Sequence, residues 1–98
     1  MPEMTFELRW PDGSIQRCYS PSLVMHDYLS VGARYTVADF LDRSTQALAE
    51  ASERVRTRFG FACTSAAETQ QRIVLAAKCF STSDLIEVTS MHPSLEQS

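Results

Sequence analysis

The sequence predicts a small α+β domain in which helices cover one face of a sheet. Three observations predict it: an N-terminal hairpin pattern, one long amphipathic helix, and an alternating segment near the C-terminus. The 98 residues are 44% hydrophobic and 21% charged, which is typical of globular chains. Because the strands and the long helix each have one apolar face to bury, layered packing is favoured. We predict a single domain over residues 1–91, with a β-hairpin, three helices and a C-terminal strand, and a polar tail over residues 92–98.

The hairpin occupies the first twenty residues. Apolar side chains alternate with polar ones at Met4, Phe6, Leu8 and Trp10. Residues 11–14, Pro-Asp-Gly-Ser, have turn chemistry, because Pro presets φ and Gly accepts a positive φ. Residues 15–20 are the returning strand.

Two registers are open for this hairpin. The favoured one pairs Trp10 with Ile15 and Phe6 with Tyr19, which keeps Ile15 and Tyr19 on the apolar side. Cys18 then points to the opposite side. A glycine bulge in the turn would shift the pairing by one residue and turn Cys18 toward the Phe6 face.

A short helix and then the long helix follow the hairpin. Ser20 is the expected N-cap of the short helix, with Pro21 at its first position and its end near Leu29. Residues 36–39, Thr-Val-Ala-Asp, approximate a capping box for the long helix, and Gly60 is its expected C-cap. Its apolar stripe is Val37, Phe40, Leu41, Ser44, Leu48, Ala51, Val55 and Phe59.

The third helix and the last strand complete the expected order. Residues 65–68, Ser-Ala-Ala-Glu, match a capping box, and the helix runs to about Phe80. Leu75 lies on the side of this helix opposite its apolar face. Residues 85–91 place Ile86 and Val88 on one face of a strand.

The charge balance excludes some partners. Nine basic and twelve acidic residues give a net charge of −3, which disfavours nucleic-acid binding and a polybasic membrane surface. The N-terminus has no positively charged segment followed by an apolar stretch, so we expect neither a signal peptide nor a membrane span. A cytoplasmic location is expected.

The cysteines indicate no disulfide framework and no zinc ribbon, because Cys18, Cys63 and Cys79 contain no paired spacing. We expect all three to be buried free thiols. Only two histidines are present, so a multi-histidine metal site is excluded. We predict no catalytic residue, no metal and no cofactor. A thiol-dependent enzyme using Cys18 or Cys63 is the alternative.

Two surfaces are candidate binding sites. Where the hairpin meets the short helix, hydroxyls, free N–H groups and one guanidinium would bind a small anion. The candidate residues there are Arg17, Cys18, Ser20, Ser22 and Leu23. On the long helix, Glu50, Arg54 and Arg58 form a candidate partner surface, with Glu50–Arg54 and Glu53–Arg56 at ion-pair spacing. Because so few strands cannot cover so long a helix, we expect self-association as a two-fold dimer.

Four segments carry a resemblance to a known family. They are residues 9–13 (RWPDG), 18–22 (CYSPS), 51–56 (ASERVR) and 59–63 (FGFAC). Over roughly residues 1–80 the chain resembles small bacterial proteins of the nitrogen starvation response family. These are encoded in a cluster with a nitrilase, a radical-SAM protein and a flavin-dependent oxidoreductase. The resemblance implies a role in nitrogen scavenging, including nitrile or cyanide use, and implies no catalytic residue.

These observations favour a non-catalytic accessory protein that binds a partner enzyme, such as one from the nitrilase-containing cluster, or a small metabolite. A transcriptional regulator with a helical reader is a third hypothesis, which the acidic balance disfavours.

Overall fold

The structure is a computed structural model that describes residues 3–60 and 64–92. Within those ranges it has four strands and two α-helices: β1 (Met4–Arg9), β2 (Ile15–Ser20), β3 (Arg34–Thr36), α1 (Val37–Phe59), α2 (Thr64–Ala77) and β4 (Leu85–His92). The strands form one antiparallel sheet in the order β2-β1-β4-β3. Both α-helices pack on the same face of it. The α+β class, the hairpin and the C-terminal strand are therefore confirmed.

The prediction of three helices is wrong, because the segment after the hairpin forms only a 3₁₀ helix, Leu23–Asp27. Its N-cap is Ser22, whose Oγ accepts a hydrogen bond from the Val24 N–H, and not Ser20. Ser20 precedes a proline, which favours an extended backbone, so it continues β2 to the strand's end. Residues 34–36, expected in a connector, form the short edge strand β3.

The favoured hairpin register is also wrong, and the bulged register is the one observed. The Trp10 N–H donates to the Ser14 carbonyl, and the Gly13 N–H donates to the Trp10 carbonyl. With Gly13 at φ 88°, this is a three-residue turn with a glycine bulge. Phe6 therefore pairs with Cys18, and Ile15 is exposed rather than on the apolar face.

The inner face of the sheet supplies one wall of the core. Alternate residues of β1 and β4 are buried there: Met4, Phe6, Leu8, Ile86, Val88 and Met91. The alternation in β4 skips one residue because Glu7 pairs with Ser90 and Leu8 with Val88, which leaves Thr89 as a bulge. The bulge is what turns Met91 inward and keeps Ser90 off the inner face.

Helix α1 has both of its predicted caps. The Thr36 Oγ1 accepts a hydrogen bond from the Asp39 N–H at 3.1 Å, and Gly60 ends the helix at φ 80°. The Val37 and Ala38 N–H groups donate to carbonyls of the loop before β4, so the first turn is satisfied within the fold. The predicted stripe is buried from Val37 to Val55, with Leu41 partly so. Phe59 is 51% exposed, because it lies at the end of the helix beyond the sheet-covered part.

Helix α2 packs beside α1 and against β2, and its buried residues are Ala66, Thr69, Ile73 and Ala77. It begins at Thr64, so Ser65 lies in its first turn, and the residues before Thr64 lie outside the described ranges. Leu75 is 59% exposed, as predicted from its side of the helix. Phe80 lies just beyond the helix and stacks on Trp10, with ring centroids 5.4 Å apart, so the tryptophan closes the core. His92 belongs to β4, and the remaining residues of the predicted tail lie outside the described ranges.

Leu48 tests whether the predicted stripe is the core face. Its side chain is 3% exposed in the middle of α1. Leu48→Ala should lower the free energy of unfolding by about 2–5 kcal/mol through lost burial and a residual cavity. Urea denaturation measures this. Val31→Ala, at a 55% exposed position outside the helices, is the control, expected to change stability by less than about 0.5 kcal/mol. A loss below about 1 kcal/mol for Leu48→Ala would contradict this packing.

Candidate functional site

A cleft of about 410 Å³ lies between the edge strand β2 and helix α2. The sheet lines it with Thr5, Gln16, Arg17, Cys18 and Tyr19, and α2 lines it with Ser65, Glu68, Thr69 and Arg72. Two of the five predicted binding residues, Arg17 and Cys18, are therefore among the residues that line this cleft. It is open to solvent along the edge of the sheet.

Cys18 lies at the inner side of the cleft. The bulged register turns it toward the helices, where it is 5% exposed and packs in the hydrophobic core. Burial raises the pKa of the Cys18 thiol to about 12, with the positive charge of Arg72 and a hydrogen bond with Gln16 as smaller opposing effects. Gln16 also accepts a hydrogen bond from the Trp10 indole at 2.9 Å. The thiol is thus held in its protonated form and shielded from solvent, as predicted for a buried free cysteine.

The charged groups of the cleft differ in how they are engaged. Arg17 lies on the outer face of the sheet, with its Nη2 3.0 Å from Glu7 Oε1. Its guanidinium lowers the pKa of Glu7, and a hydrogen bond from Ser90 adds to that effect. Arg72 and Glu68 form no ion pair with any residue in the described part of the chain. The Arg72 guanidinium therefore has its full charge available to a ligand in the cleft.

A side-chain hydrogen bond joins helix α2 to the edge strand β2. The Thr69 hydroxyl donates to the Tyr19 carbonyl at 2.7 Å. That carbonyl consequently points away from β1, because a carbonyl within the ladder would be paired across the hairpin. The bond links residues fifty positions apart and sets the width of the cleft.

The other three predicted binding residues lie apart from the cleft's charges. Ser20 and Ser22 are buried, and each uses its hydroxyl on neighbouring backbone. The Ser22 N–H donates to the Ser20 Oγ, so this donor is already engaged. Leu23 packs partly buried against the core. The structure therefore separates Arg17 and Cys18 from Ser20, Ser22 and Leu23, and ligand binding by the latter group stays a prediction.

The predicted partner surface lies on the solvent side of α1. Glu50 accepts hydrogen bonds from Arg54 at 3.1 Å and from the Tyr28 hydroxyl at 2.9 Å, and the Tyr28 bond raises the pKa of that phenol. The Glu53–Arg56 pair is formed as well. Arg58 lies over the Phe59 ring, 5.9 Å from its centroid, and has no carboxylate partner among the described residues. A shallow depression of about 300 Å³ is lined by Glu50, Glu53, Arg54, Thr57 and Arg58.

Cys79 differs from its prediction, because it is exposed, whereas Cys63 lies outside the described ranges. Among residues 3–60 and 64–92, no three His, Cys, Asp or Glu side chains are grouped closely enough to hold a metal ion. None of the helices described has the length and apolar character that a bilayer crossing requires.

Sequence reasoning missed the α2 side of the cleft. Thr69 and Arg72 are three positions apart, which places them on one face of a helix, and this spacing is visible in the sequence. What the spacing does not reveal is the strand that this face meets. The spacing of Thr69 and Arg72 can be interpreted only once the structure shows that the Thr69 hydroxyl donates to the Tyr19 carbonyl.

The comparisons with known proteins agree with the resemblance seen in the sequence. The family model for the nitrogen starvation-induced protein NitG matches residues 5–91, which include nearly the whole described fold. No curated protein and no solved structure matches the chain. The match suggests a role in the response to nitrogen starvation. On this evidence the chain belongs to the NitG family of nitrogen starvation-induced proteins.

Proposed function

We propose that this chain is a non-catalytic accessory protein of nitrogen scavenging, including nitrile or cyanide use, and that it acts by binding a partner enzyme or a small metabolite. The observation that carries this proposal is the cleft between β2 and α2, where the Arg72 guanidinium, which forms no ion pair with a described residue, lies near the buried Cys18 thiol. Such a cleft offers charge and hydrogen-bonding groups for recognition. Its thiol is in the wrong state for nucleophilic attack.

The alternative of a thiol-dependent enzyme finds less support at Cys18. A catalytic cysteine needs a low pKa and access to substrate, and Cys18 has a raised pKa and 5% exposure. The groups that act on its pKa are Arg72 and Gln16, neither of which is a general base. Cys63 remains the other candidate nucleophile of that hypothesis.

Binding is better supported in the cleft than at the turn after β2. The Ser22 N–H and the Ser20 and Ser22 hydroxyls bond within the turn, so an anion there would have to displace bonds already made. Arg72 makes no such bond with described residues and lines the cleft, whereas the Arg17 guanidinium bonds to Glu7 on the outer face of the sheet. We therefore assign recognition of a ligand to Arg72, with Arg17 at the margin of the cleft.

Docking of a partner enzyme is assigned to the depression on α1. Tyr28 and Arg54 hold the Glu50 carboxylate in place, so this side chain loses little further freedom on binding. Arg58 adds a positive charge that no described carboxylate neutralises. The partner in this proposal is an enzyme of the nitrilase-containing cluster.

The thiol hypotheses are separated by alkylation kinetics. With Cys18 at a pKa of about 12 rather than the ordinary 9.0, its thiolate fraction at neutral pH is about a thousandfold below that of a free thiol. In a Cys63→Ser, Cys79→Ser variant, we expect Cys18 to react with iodoacetamide on the order of a hundredfold more slowly than Cys79 in the matched Cys18→Ser, Cys63→Ser variant. Comparable rates at pH 7.5 would revive Cys18 as a nucleophile.

Self-association is expected through the exposed side of α2, where Leu75 is 59% and Val74 36% exposed. Light scattering at high micromolar concentration should report twice the 11.0 kDa mass of the chain. Leu75→Glu should return the protein to a single chain, and Lys78→Glu in the turn just after this helix serves as the control. Detection of only the 11.0 kDa species in the unmodified protein would eliminate the dimer.

The partner surface is tested by affinity capture from nitrogen-starved cells followed by mass spectrometry. We expect a nitrilase-type enzyme or another enzyme of its cluster to be enriched with the unmodified chain and lost with Arg58→Glu. Arg34→Glu changes an exposed arginine on the edge strand β3, outside the α1 depression, and should retain the captured enzyme. Equal capture by both variants, or capture of no such enzyme, would count against docking on α1.

A further inference from the structure

Among residues 3–60 and 64–92, the outer edge of β2 has backbone groups that find no partner. The closing hydrogen bond from Trp10 to Ser14 fixes which residues bond across the hairpin, and this alternation continues along the strand. The N–H and C=O groups of Ile15, Arg17 and Tyr19 therefore point away from β1. Thr69 covers the Tyr19 carbonyl. Within the described part of the chain, nothing accepts from or donates to the outward backbone groups of Ile15 and Arg17.

This edge forms one wall of the cleft, and helix α2 forms the other. An exposed edge strand beside a helix can accept a further strand, because the incoming backbone satisfies donors and acceptors together. A small anion would satisfy the N–H groups of Ile15 and Arg17 but not their carbonyls. The edge is therefore better matched by an extended chain than by a small acid.

The charged side chains of the cleft favour a peptide with a particular charge pattern. Arg72 acts on the Cys18 thiol, and Thr69 contacts Tyr19, so α2 runs past β2 with Arg72 nearer to the hairpin end. Arg17 lines the same end of the cleft from β2, but its guanidinium is paired with Glu7 on the outer face of the sheet, so Arg72 supplies the positive charge on the helix side. Glu68 lies one helical turn before Arg72 and would repel an acidic residue placed at the far end.

We infer that the cleft binds an extended peptide segment by strand addition to β2, with its acidic residues at the Arg72 end. This inference rests on the proposed binding function and names the kind of partner for the cleft. A second copy of β2 fits less well. A two-fold axis through Arg17 would place two Arg17 side chains directly opposite each other, where like charges repel.

The test uses the full chain labelled with ¹⁵N and a synthetic peptide of about six residues, a typical strand length, carrying glutamates at one end and threonines elsewhere. We expect saturable shifts of the Ile15 and Arg17 amide resonances. Arg72→Glu should weaken binding by about tenfold or more, since a charge-assisted contact is replaced by a repulsive one. Arg34→Glu at the other edge of the sheet is the matched control and should leave binding unchanged within about twofold.

Two control peptides identify what is being recognised. The same peptide N-methylated at alternate positions cannot pair with an edge, and we expect it to lose binding. A version with lysines in place of glutamates should also fail. Equal binding of the N-methylated peptide would show recognition of charge alone and overturn strand addition. So would the absence of any shift at Ile15 and Arg17 at millimolar peptide.

The outcomes also separate this inference from the proposed function. If acetate or phosphate produces the same shifts as the peptide, the occupant is a small anion, and the inference fails while a binding function stands. If the Ile15 and Arg17 amides shift with protein concentration alone, the occupant is a second copy, which also overturns the inference. Loss of both peptide and anion binding, with no enzyme captured through α1, would remove the proposed function as well.

Discussion

The bulged turn between β1 and β2 is the constraint on which the site depends. Two backbone hydrogen bonds close it, and Gly13 accepts the positive φ that this geometry requires. Because side chains alternate along a strand, one extra residue in the turn moves every side chain of β2 to the other face. Cys18 consequently packs under the helices, Arg17 reaches the open face, and Ile15 is left exposed.

The covered face of the sheet is maintained by contacts between distant parts of the chain. The first-turn N–H groups of α1 donate to the loop before β4, and that loop leads directly into the strand beside β1. The β4 bulge at Thr89 then restores the inward alternation so that Met91 joins the core. The start of α1 is thereby tied to the C-terminal strand, whose outer neighbour β3 leads directly into the helix.

The two candidate binding regions have different physical character. The depression on α1 consists of exposed ion pairs, which contribute little to stability and are therefore free to change without loss of the fold. In the part of the chain that the structure describes, the cleft beside β2 has backbone groups of Ile15 and Arg17 without partners and the Arg72 charge without an ion pair. A partner enzyme and an extended segment of a partner would then be held by separate surfaces, one on α1 and one at the edge of the sheet.

The sequence by itself determined the element types and their order wherever a local pattern was strong. Thr36, Gly60 and the stripe from Val37 to Val55 predicted α1 with its caps, because capping and helical periodicity act over a few residues. The same is true of the alternation in β1 and β4. The predicted start of the short helix at Ser20 was wrong, because Pro21 favours an extended backbone at the residue before it. The predicted burial of Phe59 was wrong, because helical periodicity does not show where the covering sheet ends.

Only the tertiary structure decided the register and the cleft. Both candidate registers of the hairpin kept some apolar residues inside, and the choice between them depends on turn geometry and on what packs above Cys18. The meeting of Thr69 with Tyr19 joins residues fifty positions apart. No local pattern encodes such an approach, since it follows from how α2 fits between α1 and the sheet edge. The place of Arg72 in the lining of the cleft could not be predicted for the same reason, because its position in the sequence does not show that β2 lies beside it.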